Sequence, residues 1–444
     1  MSVTQSSLAK LFSGVVSFLN EKYSENCYSI KSFSIDTPCS AEDNFLSEIF
    51  AIKLNVKRKE PLNCKDAGVE TQELIGKAQI IDDTEDVRRY VFNLIFTKEM
   101  LIYTDIFQRM EKLYTQAGIS SSSSLALAPK LHHYYTEGES YSCLFMDNLV
   151  SQGYYIPTTH GTGIQLDECS SVMRAIAKFH AMSLVIEGED QIPLTEKYEI
   201  CTAEFFLSEA TASTMQPLVL GSYAGIIQLA EKYRPDLVPL LESYDQEESI
   251  FDRLCKLVKP GTSSFSCLCH GDARLNNIFI KRDDISNVRF IDFQLTRYAS
   301  PLTDLQYILN VGATKEFRAQ YTEQMLRTYF EEFTLVLNSF PSLNLLPTQE
   351  AAVRGWTMEK VKEEYEGMAP YGFLVSLVLL PIILLLPGDI DKSVGQMSKA
   401  ERETFWNAGR KQMVFELGCK HPDVRERLFD ICDEAFAVIN KKKA

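Results

Sequence analysis

The sequence predicts an α+β chain of two lobes, a small β-rich N-lobe and a larger, mostly α-helical C-lobe. Three observations lead there. Within the stretch from Tyr28 to about Ile81, Ile49, Ala51 and Lys53 alternate with Phe50, Ile52 and Leu54, the period of a strand. From Phe317 to the last residue, and over much of 185–265, the pattern is helical instead. Between those helical regions, Ile278-Phe279-Ile280 and Val288-Arg289-Phe290-Ile291 flank the polar, turn-rich run Asp283 to Asn287, which reads as a β-hairpin.

Taken in order, Leu8, Leu11, Phe12, Val15, Val16, Phe18 and Leu19 have helical spacing, so an N-terminal helix is expected within residues 1–27, packed on the outside of the first lobe. Residues 28–149 form that lobe. Its strands are broken by a polar loop from Arg58 to Thr71 and resume at Glu73 to Ala78. Phe92, Ile95, Phe96, Glu99 and Tyr103 recur on one helical face. Ser120 to Ser124 is a loop by composition. His132, His133, Tyr134 and Tyr135 begin a strand, and an acid or thiol that would turn the histidine pair into a metal site is not near in sequence. Cys143 to Met146 is a further strand.

Residues 150–444 form the second lobe. Val172, Ile176, Phe179, His180 and Ser183 share a helix, in which His180 is assigned a structural role. Helices are expected around Phe205-Phe206-Leu207, Ile226 to Ala230, Ile250 to Leu254 and Asp304 to Leu309. Phe373 to Leu386 is very apolar but short for a bilayer and interrupted by Pro381, so a buried helix is expected and no membrane association.

Composition narrows the class. The 444 residues are 45% hydrophobic and 24% charged, ordinary for a globular protein. The formal net charge of −15 argues against a general nucleic-acid binder, which carries a basic footprint. The 11 cysteines are scattered, and Cys267 and Cys269 have no clustered Cys/His partner in sequence to complete a zinc site. Buried thiols in a reducing compartment are expected. The first residues lack a charged start followed by an apolar run, so no secretory signal is read and a cytoplasmic location is expected.

The chemistry concentrates in Cys269-His270-Gly271-Asp272-Ala273-Arg274-Leu275-Asn276-Asn277 and, after the hairpin, Ile291-Asp292-Phe293-Gln294. A hairpin returns the chain to where it started, so Asp272, Asn277 and Asp292 should gather at one end. Phosphoryl transfer from a nucleotide needs such a set: an Asp to take the proton of the attacking hydroxyl, and an Asn and a second Asp to hold magnesium against the phosphates. Magnesium takes oxygen ligands, and one or two carboxyl groups with water and phosphate complete its shell. Arg274 could offset charge on the moving phosphoryl group. Ordinary turn-capping would explain a lone Asp-Asn pair, but not the full string.

These residues resemble the kinase-like fold of choline kinases and aminoglycoside phosphotransferases. Asp292-Phe293-Gln294 and the later Tyr298-Ala299-Ser300-Pro301-Leu302-Thr303-Asp304-Leu305 are most similar to the ecdysteroid kinase-like family of insects and related animals. The resemblance implies a bilobal protein-kinase-like fold, ATP and Mg2+ as cofactors, and phosphorylation of a small-molecule hydroxyl on a steroid or foreign compound by a monomer. In the kinase plan a strand Lys positions the phosphates and a helical Glu pairs with it; Lys77 and Glu99 fit those positions. The plan puts a phosphate-covering turn at Ser40 to Ser47, where Ser47 could donate to a phosphate. Backbone groups from Asp147 to Leu149 would read the adenine edge. Asp304 resembles the acid that braces the active-site loop, and Glu366-Gly367-Met368 to Pro381 the helix bordering the acceptor pocket. His270 is expected to hold the loop by bonding backbone, leaving Asp272 as the base.

The chain departs from the family pattern in places. Members usually have a Gly near Glu42, which this turn lacks; many have Trp at the position of Arg274; and Asp147-Asn148-Leu149 stands where Glu-Asp-Leu is usual. The glycine-free turn keeps open a second reading, a catalytically weak or inactive kinase-like binding protein. A protein kinase is the third; Gly271 in place of Arg and Gln294 in place of Gly count against it.

Overall fold

A computed structural model describes residues 5–23, 28–36, 47–58, 69–79, 86–118, 125–138, 141–158, 162–204, 207, 212–385 and 408–443. The stretches 37–46, 119–124 and 205–206 lie outside them, and with them most of the phosphate-covering turn, the five-serine run and Phe205-Phe206. The chain divides into two compact units. One is built from Met1–Ile106 and Ala128–Tyr155, the other from Phe107–Leu127, Ile156–Asp391 and Ser398–Ala444, in each case through their described residues.

The first unit is an antiparallel sheet with a helix on one face. Helix α1 (Gln5–Tyr23) precedes strands β1 (Tyr28–Asp36), β2 (Ser47–Arg58) and β3 (Val69–Gln79). Helix α2 (Asp86–Leu101) follows, continued by a wide π-type turn at Ile102–Ile106, then β4 (Leu131–Glu137) and β5 (Tyr141–Asp147). The strand order is β1-β2-β3-β5-β4. Alternation along β2 sends Phe50, Ile52, Leu54 and Val56 to the face that Leu11, Val15, Phe18 and Leu19 of α1 cover. Lys53 on the opposite face bonds Glu73 across to β3 at 2.8 Å.

The second unit is mostly helical. Its central helix α3 (Leu166–Asp190) passes a length-and-hydropathy test for crossing a bilayer, yet 83% of its most apolar window is buried inside the unit. At its start the Glu168 carboxylate accepts the Gln165 N–H at 2.9 Å, and Gln191 ends it in a left-handed conformation. Four short strands follow: β6 (Cys267–Cys269), β7 (Ile278–Lys281), β8 (Asp284–Phe290) and β9 (Arg297–Ala299). Strand β6 pairs with β9, and β7 with β8. Helix α3 packs on β6 and β8, α5 (Lys315–Asn338) packs on α3, and α6 (Ala369–Ile383) packs on α4 (Leu302–Gly312). The apolar stretch at 373 is a core helix: Tyr371 to Leu377, Leu380 and Pro381 are buried.

The hairpin is tighter than the sequence suggests. Lys281 pairs with Asp284, so the turn is Arg282-Asp283, and Ile285 to Asn287 belong to β8. A register irregularity between Ile280 and Lys281 absorbs the difference. Polar composition marks the run from Asp283 to Asn287 as a turn, but exposed hairpin strands are polar too.

Candidate active site

In the second unit, β6 runs directly into His270-Gly271-Asp272. Gly271 has φ +82°, and a Cβ there would lie 1.9 Å from the Leu295 carbonyl oxygen, so the loop can close only over glycine. The carboxylate of Asp304, fully buried in the first turn of α4, accepts the backbone N–H of His270 at 2.6 Å and of Gly271 at 3.0 Å. It also meets His180 Nε2 at 3.0 Å, while Nδ1 of that ring lies 2.8 Å from the Tyr329 hydroxyl. Burial alone would raise the Asp304 carboxyl, but the hydrogen bond and charge of His180, with His270 and Arg297, hold it below its ordinary value. Burial alone would lower His180; its bonds to Asp304 and Cys269 outweigh that and raise it to about 9.

His270 is also fully buried and does different work. Its Nε2 lies 3.0 Å from the Ile291 carbonyl oxygen, and its Nδ1 accepts the Asp272 N–H at 3.3 Å. A ring that donates from one nitrogen and accepts at the other is neutral, and burial pushes its pKa down accordingly. Phe293 packs against it, ring centres 4.7 Å apart. The ring thus joins the loop before the hairpin to the strand end after it.

The structure brings the predicted residues of this unit into one place. Asn277 closes a short 3-10 turn and donates from Nδ2 to both the carbonyl oxygen and Oδ2 of Asp272, each at 2.9 Å. Tyr307 donates its hydroxyl to the other oxygen, Oδ1, and Arg274 Nε lies 3.4 Å from Oδ2. The hairpin register pairs Ile278 with Phe290, and the Ile291 N–H donates to the Asn277 carbonyl oxygen at 3.0 Å. Asn277 and Asp292 are therefore at the same end. Asp292 has φ 66° and ψ 62°, a left-handed conformation that Asp tolerates better than most residues.

That donor set fits a magnesium ion. Both amide protons of Asn277 are directed at Asp272, which leaves Oδ1 as an acceptor, and Asp292 adds a carboxylate; hard oxygen donors are what the ion takes. A second group of potential ligands, absent from the sequence reading, is His180, Cys267 and Cys269, whose ligand atoms lie within 4.8 Å of one another. Here the histidine does have neighbouring thiols. Yet both its nitrogens are engaged by Asp304 and Tyr329, and Cys269 Sγ lies 3.5 and 3.4 Å from the Ala299 and Ser300 carbonyl oxygens, where a thiol proton belongs. The cluster is a hydrogen-bonded core.

The remaining predicted residues are in the first unit. Lys77, on β3, meets Glu99, on α2, at 2.6 Å, with the glutamate fully buried. Ser47 opens β2, buried and paired with Gln79. Asp147 ends β5; its carboxylate meets His132 Nε2 at 2.6 Å, which holds its pKa down against the effect of burial. His133 likewise has an acid, Glu21, at 2.6 Å. The His132-His133 pair thus has carboxylates that sequence spacing did not reveal, one for each ring. Leu149 is buried, and its carbonyl oxygen accepts the N–H groups of Gln152 and Tyr154 at 3.1 and 3.0 Å.

A family model described as the ecdysteroid kinase-like family matches residues 41–341 of the chain. No curated protein sequence matches it. Similar solved structures include a GDP complex of a variant aminoglycoside 2'-phosphotransferase-IIIa, 11% identical with a TM-score of 0.45, covering 93% of this chain and 98% of that one. An ethanolamine kinase of Plasmodium vivax is 12% identical with a TM-score of 0.38, covering 96% of this chain and 91% of that one. A choline/ethanolamine kinase family protein of Mesorhizobium loti is 12% identical with a TM-score of 0.36, covering 90% and 92%.

Proposed function

Because this chain belongs to the ecdysteroid kinase-like family, we propose that it is an ATP- and magnesium-dependent phosphotransferase acting on a hydroxyl of an ecdysteroid-like or other hydroxylated small molecule. One observation carries the reading. Asp272 has its carboxylate held by Asn277, and the hairpin register returns Asp292 to the same end.

In this reading Asp272 orients the acceptor hydroxyl and takes its proton, and Arg274 beside it offsets negative charge on the transferring group. Asn277 and Asp292 hold the ion. When bound, magnesium neutralises the phosphate oxygens and fixes their orientation. Lys77, kept in place by Glu99, binds nucleotide phosphates, and Ser47 donates to them. Backbone groups from Asp147 to Leu149 take the adenine edge; the His132 contact turns the Asp147 carboxylate to a structural task.

The test is thermal unfolding with and without Mg2+ and ATP, on the wild type and Asp292→Ala. Ligand at about 100 times its dissociation constant stabilises by about 2.7 kcal/mol, and each kcal/mol is worth about 2–4 °C in a domain of this size. A magnesium-dependent shift that vanishes in Asp292→Ala is expected. No shift in either protein would favour the binding-protein reading that the glycine-free turn keeps open. Transfer of labelled phosphate from ATP to a panel of hydroxylated steroids then addresses the acceptor; transfer surviving in Asp272→Asn would remove that residue as the base.

A further inference from the structure

Helix α4 touches the catalytic loop twice. Asp304 and Tyr307 are three residues apart, so they stand on one helical face. Asp304 holds the loop backbone through the N–H groups of His270 and Gly271, and Tyr307 holds the side chain of Asp272 through its hydroxyl. Tyr307 is 3% exposed. Burial, and then the neighbouring Asp272 charge, push its phenol well above the usual range, so it stays protonated and donates.

A carboxylate oxygen accepts at two lone-pair positions. At Oδ2 of Asp272 stand Asn277 Nδ2 at 2.9 Å and Arg274 Nε at 3.4 Å. At Oδ1 stands Tyr307, and among the described residues no second donor reaches that oxygen. With both oxygens anchored the carboxylate cannot rotate, and one acceptor position on Oδ1 remains open.

We infer that Tyr307 is a positioning residue for the phosphoryl-transfer step, fixing Asp272 so that the open position on Oδ1 receives the acceptor hydroxyl. The inference rests on Asp272 being the proton acceptor of the reaction proposed above. In that step the oxygen of the acceptor bonds to the γ-phosphorus as the bond from phosphorus to the bridging oxygen breaks. The nucleoside diphosphate leaves, and the hydroxyl proton goes to Oδ1. Without the phenol the carboxylate turns about its own axis, and misplacement of a reacting group by about 1 Å can cost about 100-fold in rate.

Phosphate release from Mg-ATP, with water as the acceptor, tests this on the full chain in the wild type, Asp272→Asn and Tyr307→Phe. Phenylalanine keeps the ring and its packing and removes only the donor. The expected result is loss of release in Asp272→Asn and a kcat lowered by about 10–100-fold in Tyr307→Phe. KM for ATP and the Mg-ATP melting shift should stay unchanged in Tyr307→Phe. A wild-type kcat in Tyr307→Phe overturns the inference while leaving Asp272 as the base. So does a kcat loss in Tyr307→Phe that comes with an equal loss of the Mg-ATP melting shift, because the phenol would then hold the nucleotide site and not Asp272. Release from Asp272→Asn at the wild-type rate, or none from the wild type, removes the reaction itself and the inference with it.

Discussion

His180 and Asp304 meet at 3.0 Å with neither side chain exposed, and the same carboxylate carries the backbone of the His270-Gly271 loop. The pair makes stability depend on pH in a defined sense. His180 is raised from 6.5 to about 9 in the folded chain, so its contribution is fully present below pH 6.5 and is lost as pH rises through about 9. Removing one partner of a buried pair costs about 3–5 kcal/mol. His180→Gln should therefore lower the urea midpoint clearly at pH 6 and much less at pH 10. An equal loss at both would mean that the ring is held by packing alone.

His270 works in the opposite sense. Its pKa is lowered on folding, so the unfolded chain binds a proton below pH 6.5 that the folded chain refuses, and stability falls as pH drops from there. On these two groups the wild type should be most stable near pH 6.5, where neither loss has gone far. His270→Asn should flatten the acid side of the curve while leaving the alkaline side, which His180 sets. Urea midpoints from pH 5 to pH 10 would show whether the two limbs separate.

Lys77 and Glu99 should behave as a unit. Lys77→Met leaves a fully buried carboxylate without its lysine, at a cost of about 3–5 kcal/mol. Adding Glu99→Leu should restore most of that, since apolar residues of similar size often replace a buried pair without loss. The Mg-ATP melting shift should be absent from both variants. Additive losses in the double-mutant cycle would show that the pair is not coupled.

Gly271→Ala should be severe. A non-glycine residue held at positive φ costs about 1–3 kcal/mol, and a Cβ 1.9 Å from the Leu295 carbonyl oxygen forces the loop to move in addition. A lowered melting temperature together with loss of the Mg-ATP shift is expected. A variant that melts like the wild type would mean that the loop has another conformation available.

Asp292→Asn separates charge from backbone. Asn accepts left-handed geometry as readily as Asp, so the loop conformation should be kept while the magnesium-dependent shift disappears. Retention of the shift would move the ion to other ligands.

Much of this was legible because it is local. Strand alternation from Tyr28, helical spacing from Leu8 and the runs flanking the 283–287 segment are short-range patterns, and each became the element they imply. The hairpin's meaning was legible too, since two paired strands must return the chain to its start. Its turn was not, because Ser286 and Asn287 are polar and Ile285 is exposed, so the run lacks the alternation that marks a strand. Nor were the acids beside His132 and His133, which arrive from Asp147 and Glu21.

Periodicity and turn chemistry act over a few residues, so the order of elements and the spacing of Asp272, Asn277 and Asp292 can be read from the chain alone. What holds them comes from packing. Tyr307 reaches Asp272 across 35 residues, and Asp304 meets His180 across 124. The side chains that cap a buried carboxylate are chosen by which helices pack together, and no local pattern carries that information.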